Sequence, residues 1–337
     1  MRPTRRSFVQ LGASGLAASL ARPSLLARDQ AAQQSGGRRF HFVQIDVFTT
    51  KRLEGNPLAV FLDARGLTDS DMQALARETN LSETTFVIPR DAAVEHEQGV
   101  KVRIFVPEME IPFAGHPTLG TSMVLRNRLL SGKADADVTR IVLDLKIGRI
   151  PVTFTDDGSR AAFGEMQQVE PVFGRVHSRE TVASLIGISP AEISDQAPIQ
   201  SVSTGLNFAI VPLRKLQTLQ SLNPDPRKVR AYFGDAPGVN DFYYITRDTQ
   251  DPAIDIRARG LFVSGEDPAT GSASGCAISW LVRNGLVTSG QKIHIEQGVE
   301  MKRASQIFAR ADKQGDKVVN VRVGGHAVEV MEGEYLI

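Results

Sequence analysis

The feature that most constrains this chain is an echo between its two halves. In the first half an alternating stretch carrying arginine, Val102-Arg103-Ile104, leads through a Pro/Gly-containing connection to His116-Pro117-Thr118-Leu119-Gly120-Thr121. In the second, Ile256-Arg257-Ala258-Arg259 leads to Asp267-Pro268-Ala269-Thr270-Gly271-Ser272. Both spell a titratable residue, proline, two residues, glycine and a hydroxyl residue, and both run on into an apolar helical stretch. Two related halves explain this economically. With 337 residues, 42% of them apolar, each half can bury a core of its own.

Hydrophobic spacing fills in the halves. Strands are expected near Phe40 to Phe48, Pro57 to Leu62, Thr84 to Ile88 and Gly99 to Val106, where Val100, Val102, Ile104 and Val106 alternate against Lys101 and Arg103. Helical spacing follows at Ser70 to Thr79 and from Pro117 to Leu130, and strands return near Ile141 to Leu145 and Ile150 to Phe154. The second half predicts helices over Ser178 to Ile186 and Pro268 to Arg283. Its strands are expected near Ile199 to Val202, Phe208 to Val211, Phe242 to Thr246 and Ile254 to Arg259, with a strand-rich tail from Lys292 to Tyr335. Strands often follow strands directly, which implies mixed or antiparallel sheets rather than a doubly wound parallel one. Trp280, Leu281 and Ile278, with Cys276 beside them, read as the buried face of the second long helix.

Charge and cysteine content narrow the function. Lys plus Arg is 39 and Asp plus Glu is 38, a net charge of +1, so no basic surplus draws the chain onto nucleic acid. A single cysteine, Cys276, excludes an internal disulfide, a zinc-thiolate cluster and a two-thiol racemase site. Histidines His41, His96, His177, His294 and His326 are scattered without ligand spacing, so no metal is expected. The glycine-rich run from Gly265 to Gly275 lacks the Gly-Lys-Ser/Thr of a phosphate loop. Proton chemistry must then use carboxylates, imidazoles, hydroxyls or water.

The first residues read differently. Thr4-Arg5-Arg6-Ser7-Phe8-Val9-Gln10 precedes a small-residue apolar stretch from Leu11 to Ala21 and a polar segment to Gly37. This is the pattern of a twin-arginine export signal, with cleavage expected after Ala21 or Ala27. The apolar stretch is well short of the ~20 residues that span a bilayer. A mature protein that is periplasmic, with no membrane anchor, is therefore expected.

Proline favours the first turn of a helix, which places His116 and Asp267 at the cap positions of two helices. Helix starts offer unpaired N–H groups and partial positive charge, and Gly120 and Gly271 would let ligand or partner backbone approach closely. Two such starts facing one cleft suit a small carboxylate-bearing substrate.

Four motifs then occur in order: Leu53-Glu54-Gly55-Asn56-Pro57-Leu58-Ala59-Val60, Asn80-Leu81-Ser82-Glu83-Thr84-Thr85-Phe86, Pro112-Phe113-Ala114-Gly115-His116-Pro117 and Glu266-Asp267-Pro268-Ala269-Thr270-Gly271-Ser272-Ala273. Together they resemble the phenazine-biosynthesis PhzF-like family from about Phe40 to the C-terminus. The resemblance implies an α+β, diaminopimelate-epimerase-like fold of two similar lobes, each a curved mixed sheet around a central helix. The lobes would span residues 38–155 and 156–337 after a signal and linker over 1–37, with the last strands able to return to the first lobe. It further implies a homodimer, no cofactor, and a proton-moving isomerase resembling trans-2,3-dihydro-3-hydroxyanthranilate isomerase.

By those motifs Glu83 matches the acid/base glutamate, His116 and Asp267 complete the catalytic set, and Asn56, Gly271, Ser272 and Ala273 match substrate-binding positions. Independently, Glu83 lies between a helix and an apolar strand, where burial would raise its pKa. The alternative from another functional class is a non-catalytic periplasmic binding protein that holds a small acid in the same cleft.

Overall fold

The computed structural model describes residues 37–130, 138–156, 158, 162–234 and 240–337. The expected export signal, as far as residue 36, lies outside the described residues. Two units are distinguished. Phe40–Tyr335 forms the large one; the described residues of the other are 37–39 with Leu336–Ile337, where Arg38 and Ile337 exchange two backbone hydrogen bonds of 2.7 and 3.0 Å.

The large unit is an α+β fold built on one curved mixed sheet of 18 strands. Its first run contains β1 (Arg39–Val47), β2 (Asn56–Phe61), α1 (Asp69–Thr79), β3 (Glu83–Ile88), α2 (Ala92–Gln98), β4 (Val100–Phe105), β5 (Glu110–Ile111), α3 (Gly115–Leu130), β6 (Arg140–Leu145), β7 (Gly148–Thr155) and β8 (Phe163–Gln167). The second contains β9 (Val172–Val176), α4 (Arg179–Ile186), β10 (Gln200–Ser203), β11 (Asn207–Leu213), α5 (Leu216–Ser221), α6 (Pro226–Phe233), β12 (Asn240–Thr246), β13 (Ile256–Phe262), β14 (Gly265–Asp267), α7 (Gly271–Arg283), β15 (Ile293–Gln297), β16 (Ser305–Gln314), β17 (Lys317–Gly325) and β18 (Ala327–Leu336).

The pairing of the two runs is the same. β1 is antiparallel to β2, β2 parallel to β3, β3 antiparallel to β4, and β4 antiparallel to β5 but parallel to β6, followed by the antiparallel pairs β6–β7 and β7–β8. β10 to β17 repeat every one of these relations in order. Strands β8 and β17, the last of each run, pair antiparallel and join them, and β18 returns to lie beside β1.

A bidentate ion pair marks each run at the same place. Arg103 on β4 grips Glu110 on β5, and Arg259 on β13 grips Glu266 on β14, each arginine through Nε and Nη2 at 2.8–2.9 Å. Counting from these arginines, Gly115 and Gly271 occupy equivalent positions, so each long helix begins on the equivalent glycine. The sequence echo is therefore real but its register is corrected: His116 is equivalent to Ser272, and Asp267 to Ile111. The expected cap positions fail for the same reason. His116 is the second residue of α3, while Asp267 ends β14 and Thr270 is the N-cap of α7. Proline at position 268 closes a β-strand here instead of opening a helix.

α3 packs on β2, β3, β6, β7 and β8, and α7 on β10, β11, β16 and β17. Gly271 through Val282 are all buried, so Ile278, Trp280 and Leu281 lie in a helix enclosed on every side and not on one face of it. A helix approached from all sides needs small residues, which is what Gly271-Ser272-Ala273-Ser274-Gly275-Cys276-Ala277 supplies. Gly120 serves packing as well: a Cβ there would fall 2.7 Å from Leu58 Cδ2 and Val47 Cγ2, so its absence brings α3 close to the sheet rather than to a ligand. Helices α2, α5 and α6 have no counterpart among the sequence expectations; all are eight residues or shorter, too brief for a clear 3.6-residue period.

Candidate active site

The folding of the two runs brings four expected residues together. Glu83 starts β3, Asn56 starts β2, His116 sits in the first turn of α3, and Asp267 ends β14. Asn56 is their hub. Its Nδ2 is 2.7 Å from Asp267 Oδ1, 3.0 Å from Ala269 O and 3.1 Å from His116 Nδ1. Asp267 Oδ1 and Ala269 O can only accept, so the amide orientation is fixed and its nitrogen is the atom that faces all three. His116 Nε2 lies 3.4 Å from Glu83 Oε2, a close contact but not a directed hydrogen bond.

Electrostatics separates the members. Burial, helped by the charge of Asp267, pushes Glu83 up to about 8. Burial pushes Asp267 up to about 6, opposed by hydrogen bonds from Thr270 and Asn56 that favour its anion. Burial pushes His116 down to about 3, so its imidazole is neutral at physiological pH. Two half-buried carboxylates and one buried, neutral imidazole thus share the site, with Glu83 the more reluctant to ionise.

Gly271, Ser272 and Ala273 form the first turn of α7. The first bond within the helix is Ser274 N to Thr270 O at 2.9 Å, so the N–H groups of residues 271–273 have no acceptor inside it. The start of α3 abuts the same turn: a Cβ on Gly115 would fall 2.9 Å from Ser272 N and 3.0 Å from Gly271 Cα. Two positive helix ends meeting this closely favour negative charge between them. Gly271 offers no open approach, however, since a Cβ there would meet the Phe48 ring at 3.0 Å. What it can present to a ligand is its N–H.

Sequence reasoning missed the residues that hold Asp267. Gln297, at the end of β15, accepts from Tyr243 Oη (2.8 Å) and Thr270 N (3.1 Å) and donates to Asp267 O (2.7 Å) and Thr270 Oγ1 (2.9 Å). The Thr270 hydroxyl in turn donates to Asp267 Oδ2 at 2.7 Å. Thr270 lies within a quoted motif, but nothing in a single sequence links it to residues 243 and 297. The other missed group is Arg303. It donates to the Gly55 and Glu54 carbonyls at 2.8 and 3.0 Å and pairs with buried Asp46 at 2.7 Å, pinning the turn before Asn56.

Paired half-buried carboxylates of unequal acidity, a neutral histidine and a helix start, set in this α+β fold, are the equipment of an isomerase that moves a proton. The chain belongs to the phenazine biosynthesis-like family, whose model matches residues 45–333. It is similar to the trans-2,3-dihydro-3-hydroxyanthranilate isomerase of Pseudomonas chlororaphis, with 35% identity over 298 residues that cover 88% of this chain and 99% of the relative. Among solved structures it resembles the PhzF-family phenazine biosynthesis protein of Bacillus anthracis at TM-score 0.78 and 27% identity, covering 89% of this chain and all of that one. A hydroxyproline epimerase from Agrobacterium vitis, at TM-score 0.60 and 11% identity and covering 89% of this chain and 93% of that one, shares the fold. The chain is an isomerase of this family.

Proposed function

We propose that this isomerase moves a proton between carbons of a small, unsaturated, carboxylate-bearing substrate, with Glu83 as the acid/base and no cofactor. One observation supports this most directly. Asn56 Oδ1, Glu83 Oε2 and His116 Nε2 are buried side-chain atoms without a hydrogen-bond partner among the described residues, and they belong to three residues in mutual contact through His116. Buried polar atoms are rarely left so, and a cluster of them marks where a polar ligand belongs.

In this reading Glu83 removes a proton from an activated carbon. Burial makes its carboxylate a strong base when ionised, and the same burial favours the protonated acid once the proton has moved. Protected from water, that proton can be returned to a second carbon. His116 and Asn56 orient the substrate, Asp267 anchors Asn56 and holds a polar group, and the N–H groups of Gly271 to Ala273 balance negative charge as it develops.

The related isomerase's name suggests a probe, trans-2,3-dihydro-3-hydroxyanthranilate. Incubated with the protein in heavy water and followed by proton NMR, it should convert to an isomer or take up deuterium at carbon. Tight binding with neither change would instead identify a binding protein.

The reading extends to two lobes over 38–155 and 156–337, a homodimer, and export by the Arg5-Arg6 signal to the periplasm. No helix among the described residues is long and apolar enough to cross a membrane. Replacing Arg5 and Arg6 together by lysine should keep the protein in the cytoplasmic fraction; an undiminished periplasmic amount would end the export reading.

A further inference from the structure

The direction of each hydrogen bond around Gln297 can be read without ambiguity. Thr270 N can only donate, so the atom facing it is the Gln297 carbonyl oxygen; Asp267 O can only accept, so the atom facing it is the amide nitrogen. The side chain cannot be turned over without breaking both. Its Nε2 therefore also donates to Thr270 Oγ1, at 2.9 Å, which obliges the single hydroxyl proton of Thr270 to point the other way, to Asp267 Oδ2 at 2.7 Å. Asp267 Oδ1 faces Asn56 Nδ2, which can only donate, at 2.7 Å. Both oxygens of Asp267 are thus engaged as acceptors, and a proton on either would weaken the bond it accepts. Glu83 has no such donors: its neighbours are the His116 ring edge at 3.4 Å and the charge of Asp267.

We propose that Gln297 is a positioning residue for the reaction: acting through Thr270, it keeps Asp267 as the ionised member of the carboxylate pair and so leaves Glu83 as the member that gains and loses the proton. The second clause rests on the isomerase mechanism proposed above; the first does not. The groups whose charge Asp267 feels are Glu83, and Glu266, which Arg259 neutralises; the phenol of Tyr243 and the neutral ring of His116 stand nearby without charge. None of these donates a hydrogen bond to Asp267; its donors are the Thr270 hydroxyl set through Gln297, the Asn56 amide and the backbone N–H of Ala269, and of these the Thr270 hydroxyl is the one Gln297 controls.

The order of titration can be measured in the resting protein by carbon-13 NMR, with carboxyl-labelled Asp and Glu assigned through Asp267→Asn and Glu83→Gln. In the wild type Asp267 should titrate below Glu83. Thr270→Val removes the hydroxyl at constant shape, and the threonine makes no side-chain cap bond to α7 whose loss would confuse the result. It should raise the Asp267 midpoint by about one to two pH units, the worth of a hydrogen bond to a charged group. Gln297→Met, which removes the Nε2–H that fixes the hydroxyl and adds no charge, should act in the same direction by a smaller amount. If that variant does not fold, Thr270→Val decides alone. An Asp267 midpoint unmoved in the folded variants, or lying above that of Glu83 in the wild type, would overturn the proposal. A merely structural role would lower the melting temperature and leave the midpoints in place. No substrate enters this measurement, so its failure is distinct from failure of the isomerase reading, which the heavy-water assay detects.

Discussion

His116 presents its Nε2–H to Glu83. Nδ1 faces the Asn56 amide nitrogen at 3.1 Å, which can only donate, so Nδ1 is the bare nitrogen; burial keeps the ring neutral, and its one proton must then sit on Nε2, 3.4 Å from Glu83 Oε2. The ring thus turns its N–H edge toward the glutamate, at a distance longer than a directed hydrogen bond, and leaves proton transfer to the carboxylate.

Glu83→Gln separates binding from chemistry, because the amide keeps the shape but cannot accept a proton at neutral pH. Turnover should fall by roughly 100-fold or more, the usual worth of a positioned general base, with KM close to that of the wild type. Steady-state kinetics on the probe substrate checks this. Proton transfer at the wild-type rate would remove Glu83 from the mechanism.

The pH-rate profile should follow the base. Glu83 is raised to about 8, so only a minority is ionised at pH 7 and the active form increases with pH through that value. Accordingly kcat/KM should rise from pH 6 to pH 8.5, with apparent values that belong to the Glu83 and Asp267 pair together. A rate that falls over this range would mean that the acid form of the pair begins the reaction.

Stability should move the opposite way. Below the ordinary value of 4.5 the glutamic acid is protonated in both the folded and the unfolded chain; from there up to about 8 the unfolded chain ionises while the folded one resists, so rising pH removes stability. Glu83→Gln escapes this loss, and its melting temperature should gain on the wild type between pH 5 and pH 8. Equal differences at the two pH values would show that burial does not act on Glu83 as described.

Much of this was legible in the sequence because it is local. Alternation in Val100 to Val106, the helical spacing of α1 and the motifs around Asn56, Glu83, His116 and Asp267 are each written within a dozen residues. The register of the repeat was not legible, since Pro117 and Pro268 invite an alignment that only the Arg103–Glu110 and Arg259–Glu266 pairs correct. Gln297 and Arg303 were invisible for a related reason. Their partners are decided by which strands pair, and Gln297 reads as an ordinary polar residue until β15 sets it beside Asp267 and Thr270.

Gly115→Ala tests how tightly the two helix starts must meet. The added methyl would fall 2.9 Å from Ser272 N and 3.0 Å from Gly271 Cα, backbone atoms that cannot rotate away. Overpacking of this kind costs about 1–3 kcal/mol, and relief by separating the helices would displace His116 from Ser272. Activity should therefore fall well beyond what the loss of stability explains. Denaturant titration beside the kinetic assay separates the two; an active variant of unchanged stability would show that the helix ends have room to move.

Arg303 offers the last test, because it acts at a distance from the reacting groups. Asp46, 1% exposed, accepts from Leu53 N at 2.6 Å and from Arg303 at 2.7 Å, and Arg303 also holds the carbonyls of Glu54 and Gly55 immediately before Asn56. Burial already pushes the Asp46 carboxyl up, and the arginine charge opposes that. Arg303→Gln leaves a buried carboxylate without its counter-charge, at a cost of about 2–3 kcal/mol at neutral pH. The sign with pH follows from the same shift: an acid whose folded pKa is raised loses stability as pH rises, so the deficit should shrink toward low pH, where Asp46 takes up a proton in both states. Freed of its clamp, the turn should let Asn56 wander from Asp267 and His116, so kcat should fall more than KM rises, and Arg303→Lys should restore charge and stability but only part of the rate. Denaturant titrations at pH 5 and pH 8, with kinetics of both variants, check all three statements, and a deficit independent of pH would remove Asp46 from the account.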